Sequence, residues 1–132
     1  MKISRSTGYA LVAVGYIAGA GKNNPVQAAN VSKEYDIPLE YLLKILQQLV
    51  RVNVLRSKRG PRGGFFLARK PEEITLLNII EAVEGPMLAH ANLSQLTGNA
   101  NFSIKMEDAC NTATKKLRAM YENAVLSDML AG

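Results

Sequence analysis

Apolar residues recur at helical spacing in five segments of this 132-residue chain, and one short stretch between them reads as β-structure. The first segment, about residues 6–20, ends in Gly19-Ala-Gly21 and is expected to be a buried helix capped by Ser6 or Thr7. Lys2 and Arg5 before Gly8–Ala20 imitate a secretion signal. The run is interrupted by glycine and tyrosine and falls short of the roughly 20 apolar residues a membrane span needs, so a packed helix is the better account. Lys22-Asn-Asn-Pro25 reads as a loop. Val26, Ala28, Ala29 and Val31 then form one face of a short helix ending near Tyr35, and Asp36-Ile-Pro38 turns the chain.

A third helix follows over 39–51. Its apolar stripe comprises Leu39, Leu42, Leu43, Ile45, Leu46, Leu49 and Val50, and its polar positions are Glu40, Tyr41, Lys44, Gln47, Gln48 and Arg51. Two helices joined by a tight turn, the second with a face of polar side chains, have the outline of a helix-turn-helix. The next stretch makes that outline more specific. Val54–Lys58 and Phe65–Arg69 read as strands joined by Arg59-Gly-Pro-Arg-Gly-Gly64, a hairpin with a cationic, glycine-rich tip. Such a hairpin directly after a helix-turn-helix is a wing. A nucleotide-phosphate loop would need a helix straight after the glycines and a Lys-Ser/Thr pair, and this chain has neither there.

Thr75 is expected to cap a fourth helix that buries Leu76, Ile79, Ile80 and Val83 and stops at Gly85-Pro86. Residues 86–104 lack a period and read as a linker with one helical turn. The last helix is expected over about 105–127. Met106, Cys110, Ala113, Leu117, Met120 and Ala124 follow one another at intervals of four and three, a heptad seam. About 23 residues make a helix of about 34 Å, longer than a head of this size can cover, so the seam is expected to cross its own copy in a dimer. The expected architecture is mostly α with a small β-hairpin. It comprises a winged helix-turn-helix over 1–85, a linker over 86–104, and a dimerisation helix with its tail over 105–132.

Charge turns this architecture toward a partner. Residues 1–70 carry 12 Lys/Arg and 3 Asp/Glu (12 − 3 = +9), residues 71–132 carry 4 and 8 (4 − 8 = −4), and the halves sum to the overall +5. A basic half joined to an acidic one implies a surface for a polyanion. Arg51, Arg56, Lys58, Arg59, Arg62, Arg69 and Lys70 crowd the hairpin with no acid among them. An arginine at the tip suits a narrow minor groove, where the negative potential is deepest.

The remaining chemistry is sparse. One cysteine excludes an internal disulfide and suits the reducing cytoplasm of a bacterium. No Cys-x-x-Cys pair supports zinc, and no metal site is expected. No Ser/His/Asp set, no paired-carboxylate constellation and only one histidine argue against an enzyme. Cys110 reads first as a packing residue and otherwise as a redox switch. His90, alone in the linker, could assist a metal or pH response.

Tyr9-Ala-Leu, Ile37–Leu46, Arg59–Ala68, Pro71–Leu76 and Ile79–Gly85 resemble the Rrf-two superfamily of transcriptional regulators, the group of IscR, NsrR and CymR, across essentially the whole chain. The resemblance implies a homodimer on a palindromic double-stranded operator, with the third helix in the major groove and the wing in the minor groove. It implies base or phosphate contacts from Glu40, Tyr41 and Lys44, with Gln48, Arg51 and Lys58 beside them. It implies a groove-inserted Arg59 supported by Gly60, Pro61, Arg62 and Gly63, and backbone contacts from Ser4, Arg5 and Ser6. Leu43 stands where iron–sulfur members carry a base-reading glutamate, so an operator sequence does not carry over. The three linker cysteines of those members are missing, and Gly8 and Lys33 stand near an alternative pair of Glu and His ligands. The expected function is a repressor without a cofactor or a membrane partner. The signal stays open among a small-molecule effector, a thiol or metal switch at Cys110, and a protein partner.

Overall fold

The computed structural model describes residues 2–87 and 92–130. Among these, the head comprises α1 (Arg5–Gly19), α2 (Ala28–Tyr35), α3 (Leu39–Arg51), the strands β1 (Leu55–Lys58) and β2 (Gly64–Leu67), and α4 (Leu76–Glu84). Beyond it lie α5 (Leu93–Thr97), the long α6 (Asn101–Glu122) and a short α7 (Leu126–Leu130). The mostly helical fold with one antiparallel hairpin is the one expected. His90 lies outside the described residues.

The core forms where helix periodicity and strand alternation point at one centre. Ala10, Ala13, Val14 and Ile17 of α1 meet Leu42, Ile45, Leu46 and Leu49 of α3, with Val31, Val54, Leu55 and Ile79 closing the sides. The small alanines of α1 let the helices approach closely. Leu39 and Leu43 depart from the expected stripe. At 42% and 38% exposed they share the outer face of α3 with Glu40 and Lys44, because a buried stripe of four leucine and isoleucine side chains already fills the inner face. Ala29 is likewise exposed rather than part of the inner face of α2.

Caps and turns fix the boundaries. Ser4, not Ser6 or Thr7, caps α1, its hydroxyl accepting from the Thr7 N–H at 3.1 Å, so the helix starts earlier than its apolar run. Asp36 ends α2 in the left-handed region (φ 53°), and the Ile37 N–H donates to the Ser32 carbonyl at 3.0 Å, which sets the turn into α3. Thr75 caps α4 as expected. Its N–H donates to Asn78 Oδ1 at 2.9 Å and its Oγ1 accepts from the Asn78 N–H at 3.1 Å, a reciprocal capping box.

The largest corrections lie at the two ends of the long helix. The α6 helix starts at Asn101, inside the expected linker, and ends at Glu122. Its first turn is held to α5 by Ser103, whose Oγ meets Thr97 Oγ1 at 2.5 Å, while Ser94 bonds Glu107 through its N–H and hydroxyl. Beyond Glu122 the chain returns to the head. The Leu76 N–H donates to the Ala124 carbonyl at 2.9 Å, the Leu126 N–H to the Ile74 carbonyl at 2.8 Å, and Leu126 is buried in the main core. Ala124 therefore lies off the helix and cannot continue its seam. Leu117 turns toward the head as well, packing with Tyr121 against Leu77, Ile80 and Met87. Arg118 adds an ion pair to Glu81 at 3.8 Å.

Candidate nucleic-acid interface

Three elements carry the residues that the sequence singles out. The first is the outer side of α3, where Glu40, Lys44, Gln47 and Arg51 stand exposed at intervals of four, three and four residues, one stripe of a 3.6-residue helix. Gln48 sits at the edge of that stripe, half-buried. Tyr41 is tied to the second element, the start of α1. Its hydroxyl pairs with Ser6 Oγ, and its ring meets Tyr9 edge-on at a centroid distance of 5.8 Å. Ser6 is thereby joined to the first turn of α3, with the exposed Arg5 next to it in the chain.

Ser4 has a different occupation. Its hydroxyl caps α1 and also donates to Glu84, the last residue of α4, which accepts from the buried Thr7 hydroxyl as well. These two donors, Ser4 first, hold the Glu84 carboxyl below the usual carboxylate range, slightly opposed by desolvation. A depressed carboxyl contributes stability that is complete above its unfolded pKa and is lost as pH falls through the lower folded value. Glu84→Gln is thus expected to flatten the acid limb of the melting-temperature profile below about pH 5, with a cost at neutral pH of about 2 °C or less because the group is exposed. Melting curves from pH 3 to 8 check this, and parallel profiles for both proteins would refute it.

The third element is the wing. β1 and β2 pair antiparallel from Leu55 opposite Leu67 to Lys58 opposite Gly64. At the tip, the Gly63 N–H donates to the Gly60 carbonyl at 2.9 Å, leaving Arg59, Pro61 and Arg62 projecting as exposed residues with Lys58 behind them. Gly63 has no room for a side chain, since a Cβ there would lie 2.0 Å from the Lys58 carbonyl oxygen. The cations of the hairpin divide by role. Arg69 is half-buried and bound to the Asn53 and Glu73 carbonyls and to Asn78 Oδ1, so it braces the head. Arg56 lies over the Phe66 ring at 4.2 Å. Arg51, Lys58, Arg59 and Arg62 remain exposed.

Two residues hold the wing in place: Val26, which the periodicity assigns to a helix face, and Gln27. Val26 forms an antiparallel bridge with Phe65, the two N–H groups donating to the opposite carbonyls at 3.0 and 2.8 Å, and the Gln27 amide donates to the Gly63 carbonyl. Val26 is accordingly extended and α2 begins only at Ala28. Pro25 restricts Asn24 before it rather than Val26, so the extended Val26 is set by its pairing with Phe65.

The remaining predicted residues lie on α6. Met106 and Met120 are 56% and 71% exposed, and Cys110 and Ala113 are exposed between them. Phe102, 61% exposed, extends the same stripe by one turn. Cys110, read from the sequence as a packing residue of the heptad seam, is exposed in the single chain on this stripe.

A family model described as an iron-dependent transcriptional regulator, Rrf2, matches residues 3–132. The HTH-type transcriptional regulator IscR of Cereibacter sphaeroides is 44% identical over 86 residues, which are 64% of this chain and 56% of that protein. The chain spans about half the length of the first curated relatives it matches. Among solved structures, CymR, the global cysteine regulator of B. subtilis, superposes with a TM-score of 0.77 at 23% identity, covering 98% of this chain and 96% of that one. IscR of T. potens gives 0.77 at 23% identity over 98% and 86%. At that identity the two structures establish the fold.

Proposed function

The chain belongs to the Rrf2 family of transcriptional regulators, and from that premise we propose that it is a sequence-specific DNA-binding repressor that acts as a homodimer without an iron–sulfur cluster. The observation that carries this reading is the exposed cationic wing tip of Arg59 and Arg62 on its Gly60–Gly63 turn, following a helix whose outer stripe of Glu40, Lys44, Gln47 and Arg51 is open. An α-helix fits the major groove, and a narrow loop tipped with arginine fits the adjoining minor groove. Glu40, Tyr41, Lys44, Gln48 and Arg51 would meet base edges and phosphates, Arg5 and Ser6 the backbone, and Arg59 the minor groove.

The homodimer is supported by the open stripe of Phe102, Met106, Cys110, Ala113 and Met120, which is left exposed among the described residues. A twofold-related helix laid on it would bury these side chains, shield Cys110, and give the two heads the symmetry of a palindromic operator.

The family description implies iron, and the donors of this chain do not fit that group. A cluster needs several thiolates or imidazoles. The chain has one cysteine and one histidine, and no three His, Cys, Asp or Glu side chains gather into a metal site among the described residues. Anaerobically purified protein is expected to lack visible absorption, and a brown protein with iron and sulfide in integral ratio would overturn this part of the reading.

Fluorescence anisotropy on duplexes from its own promoter region tests the DNA reading. Binding is expected to be sequence-selective and to weaken with salt as phosphate counterions are displaced. Arg59→Ala is expected to weaken specific binding by about 1–3 kcal/mol, about 5–150-fold. No selective binding at micromolar protein, or an Arg59→Ala variant that binds like the parent, would sink it.

A further inference from the structure

On another side of the wing the structure holds a feature the DNA-reading face does not use. A cavity of about 640 Å³ opens between the end of α1, the hairpin and the Pro71–Glu73 turn. That volume lies within the range of small-molecule sites. Its floor is apolar, built from Ile17, Leu67 and Pro71. Its rim is cationic, with Lys22 from the loop after α1, Arg56 from β1 and Lys70 ahead of the turn, against the single carboxylate of Glu73. Lys22 and Lys70 have no carboxylate partner among the described residues. Arg56 is preorganised across the Phe66 ring, and Arg69 stiffens the wall by its three bonds to Asn53, Glu73 and Asn78.

We propose that this cavity binds a small amphipathic anion, with a carboxylate or phosphate head on an apolar body, and that its occupancy sets the position of the wing. The cationic rim selects the charge, and the apolar floor selects the body over a bare ion. A duplex backbone has no apolar body to fill the floor. The coupling follows from what the walls belong to. Leu67 and Arg56 lie on the strands that carry the wing tip, and Lys22 lies on the loop that runs into Val26 and Gln27, the residues that dock the wing. An anion held between Lys22 and Arg56 draws those two walls together. The site stands on the cavity alone, whereas the effect on the wing rests on the DNA reading above.

Octanoate is the probe, with 1-octanol and inorganic phosphate as body-only and head-only controls, read by amide chemical shifts of the full chain. Octanoate is expected to shift the Gly21, Lys22, Leu67 and Ala68 amides saturably, with both controls at least about tenfold weaker. The Lys22→Glu/Lys70→Glu double variant, altered only at exposed residues, is expected to lose at least about tenfold in octanoate affinity with an unchanged circular dichroism spectrum. Octanoate is further expected to change the affinity of the parent for its DNA at least about threefold, and that of the variant not at all. No saturable shift up to about 10 mM, equal response to octanol, or shifts confined to α6 would overturn the site. Octanoate binding that leaves DNA affinity unmoved would overturn the coupling. A parent that binds no DNA at all would strike the DNA reading instead and leave the spectral result to judge the cavity.

Discussion

Aspartate at both Met106 and Ala113 is expected to yield a folded monomer whose specific DNA binding is weaker by at least about a hundredfold. Both side chains stand exposed on α6, so the change removes no core contact, and the circular dichroism spectrum of the head should be preserved. In the proposed dimer each carboxylate would be desolvated against an apolar stripe, and twofold symmetry doubles the count to four. Desolvating unpaired charges costs several kcal/mol each, more than a helix-pair interface of ordinary size holds in reserve. The loss in DNA binding then follows from effective concentration. Two linked heads convert the second half-site contact into an intramolecular step, which contributes about 10²–10⁴ in affinity and vanishes with the linkage. Light scattering gives the mass and anisotropy the affinity. A double variant that stays dimeric, or a monomer that binds operator as tightly as the parent, would refute the role given to α6.

Gly63→Ala is expected to damage the wing more than the loss of any wing side chain. The added Cβ would lie 2.0 Å from the Lys58 carbonyl oxygen and 2.8 Å from the Lys58 and Arg59 carbonyl carbons, all backbone atoms that no rotamer change can move. The Gly60–Gly63 turn must open, which breaks its 2.9 Å hydrogen bond and strains the neighbouring Gln27 contact. The expected cost is about 1–3 kcal/mol of unfolding free energy, together with a drop in DNA affinity exceeding that of Arg59→Ala. Chemical denaturation and anisotropy measure the two separately. Arg62→Ala, which leaves the turn intact, supplies the comparison. Parent-like stability and affinity in Gly63→Ala would show that the tip geometry does not matter.

What could be read from the residues divides by the range of the interaction. Helix faces, the Thr75 cap, the Gly85 stop and the hairpin between Leu55 and Leu67 rest on contacts within a few positions, and periodicity reports those directly. The first helix began at Ser4 rather than Ser6 because a cap is chosen by which hydroxyl reaches an unpaired N–H, and three serines and threonines stand within four residues there. The outward turn of Leu39 and Leu43 was hidden for the opposite reason. A leucine on a helix declares itself apolar whichever way it faces, and only the filled inner stripe of α3 decides the matter. The rest is non-local. Gln27 reaching the Gly63 carbonyl, Glu84 meeting Ser4 and Thr7, and Val125 pairing beside Thr75 join residues 36 to 80 positions apart. No local pattern encodes such pairs. The same limit explains the seam of α6, where the heptad spacing was legible but the diversion of Leu117 and Ala124 to the head was not.

The return of the chain after α6 has a mechanical consequence. The helix is held at its far end by Leu117, Arg118 and Tyr121 and then by Leu126 seated in the main core, so it meets the head as a welded strut and not as a swinging arm. In the proposed dimer, two such struts crossing one another fix how far apart the reading heads sit and how they are turned. A target whose half-sites fall at a slightly different pitch cannot be met by flexing the protein at that joint. The duplex has to bend or twist instead, at a cost of about 1–6 kcal/mol that depends on the sequence between the half-sites. Base steps that no side chain touches would thereby be selected for their compliance, and the rigidity of one helix anchor becomes part of how a sequence is chosen.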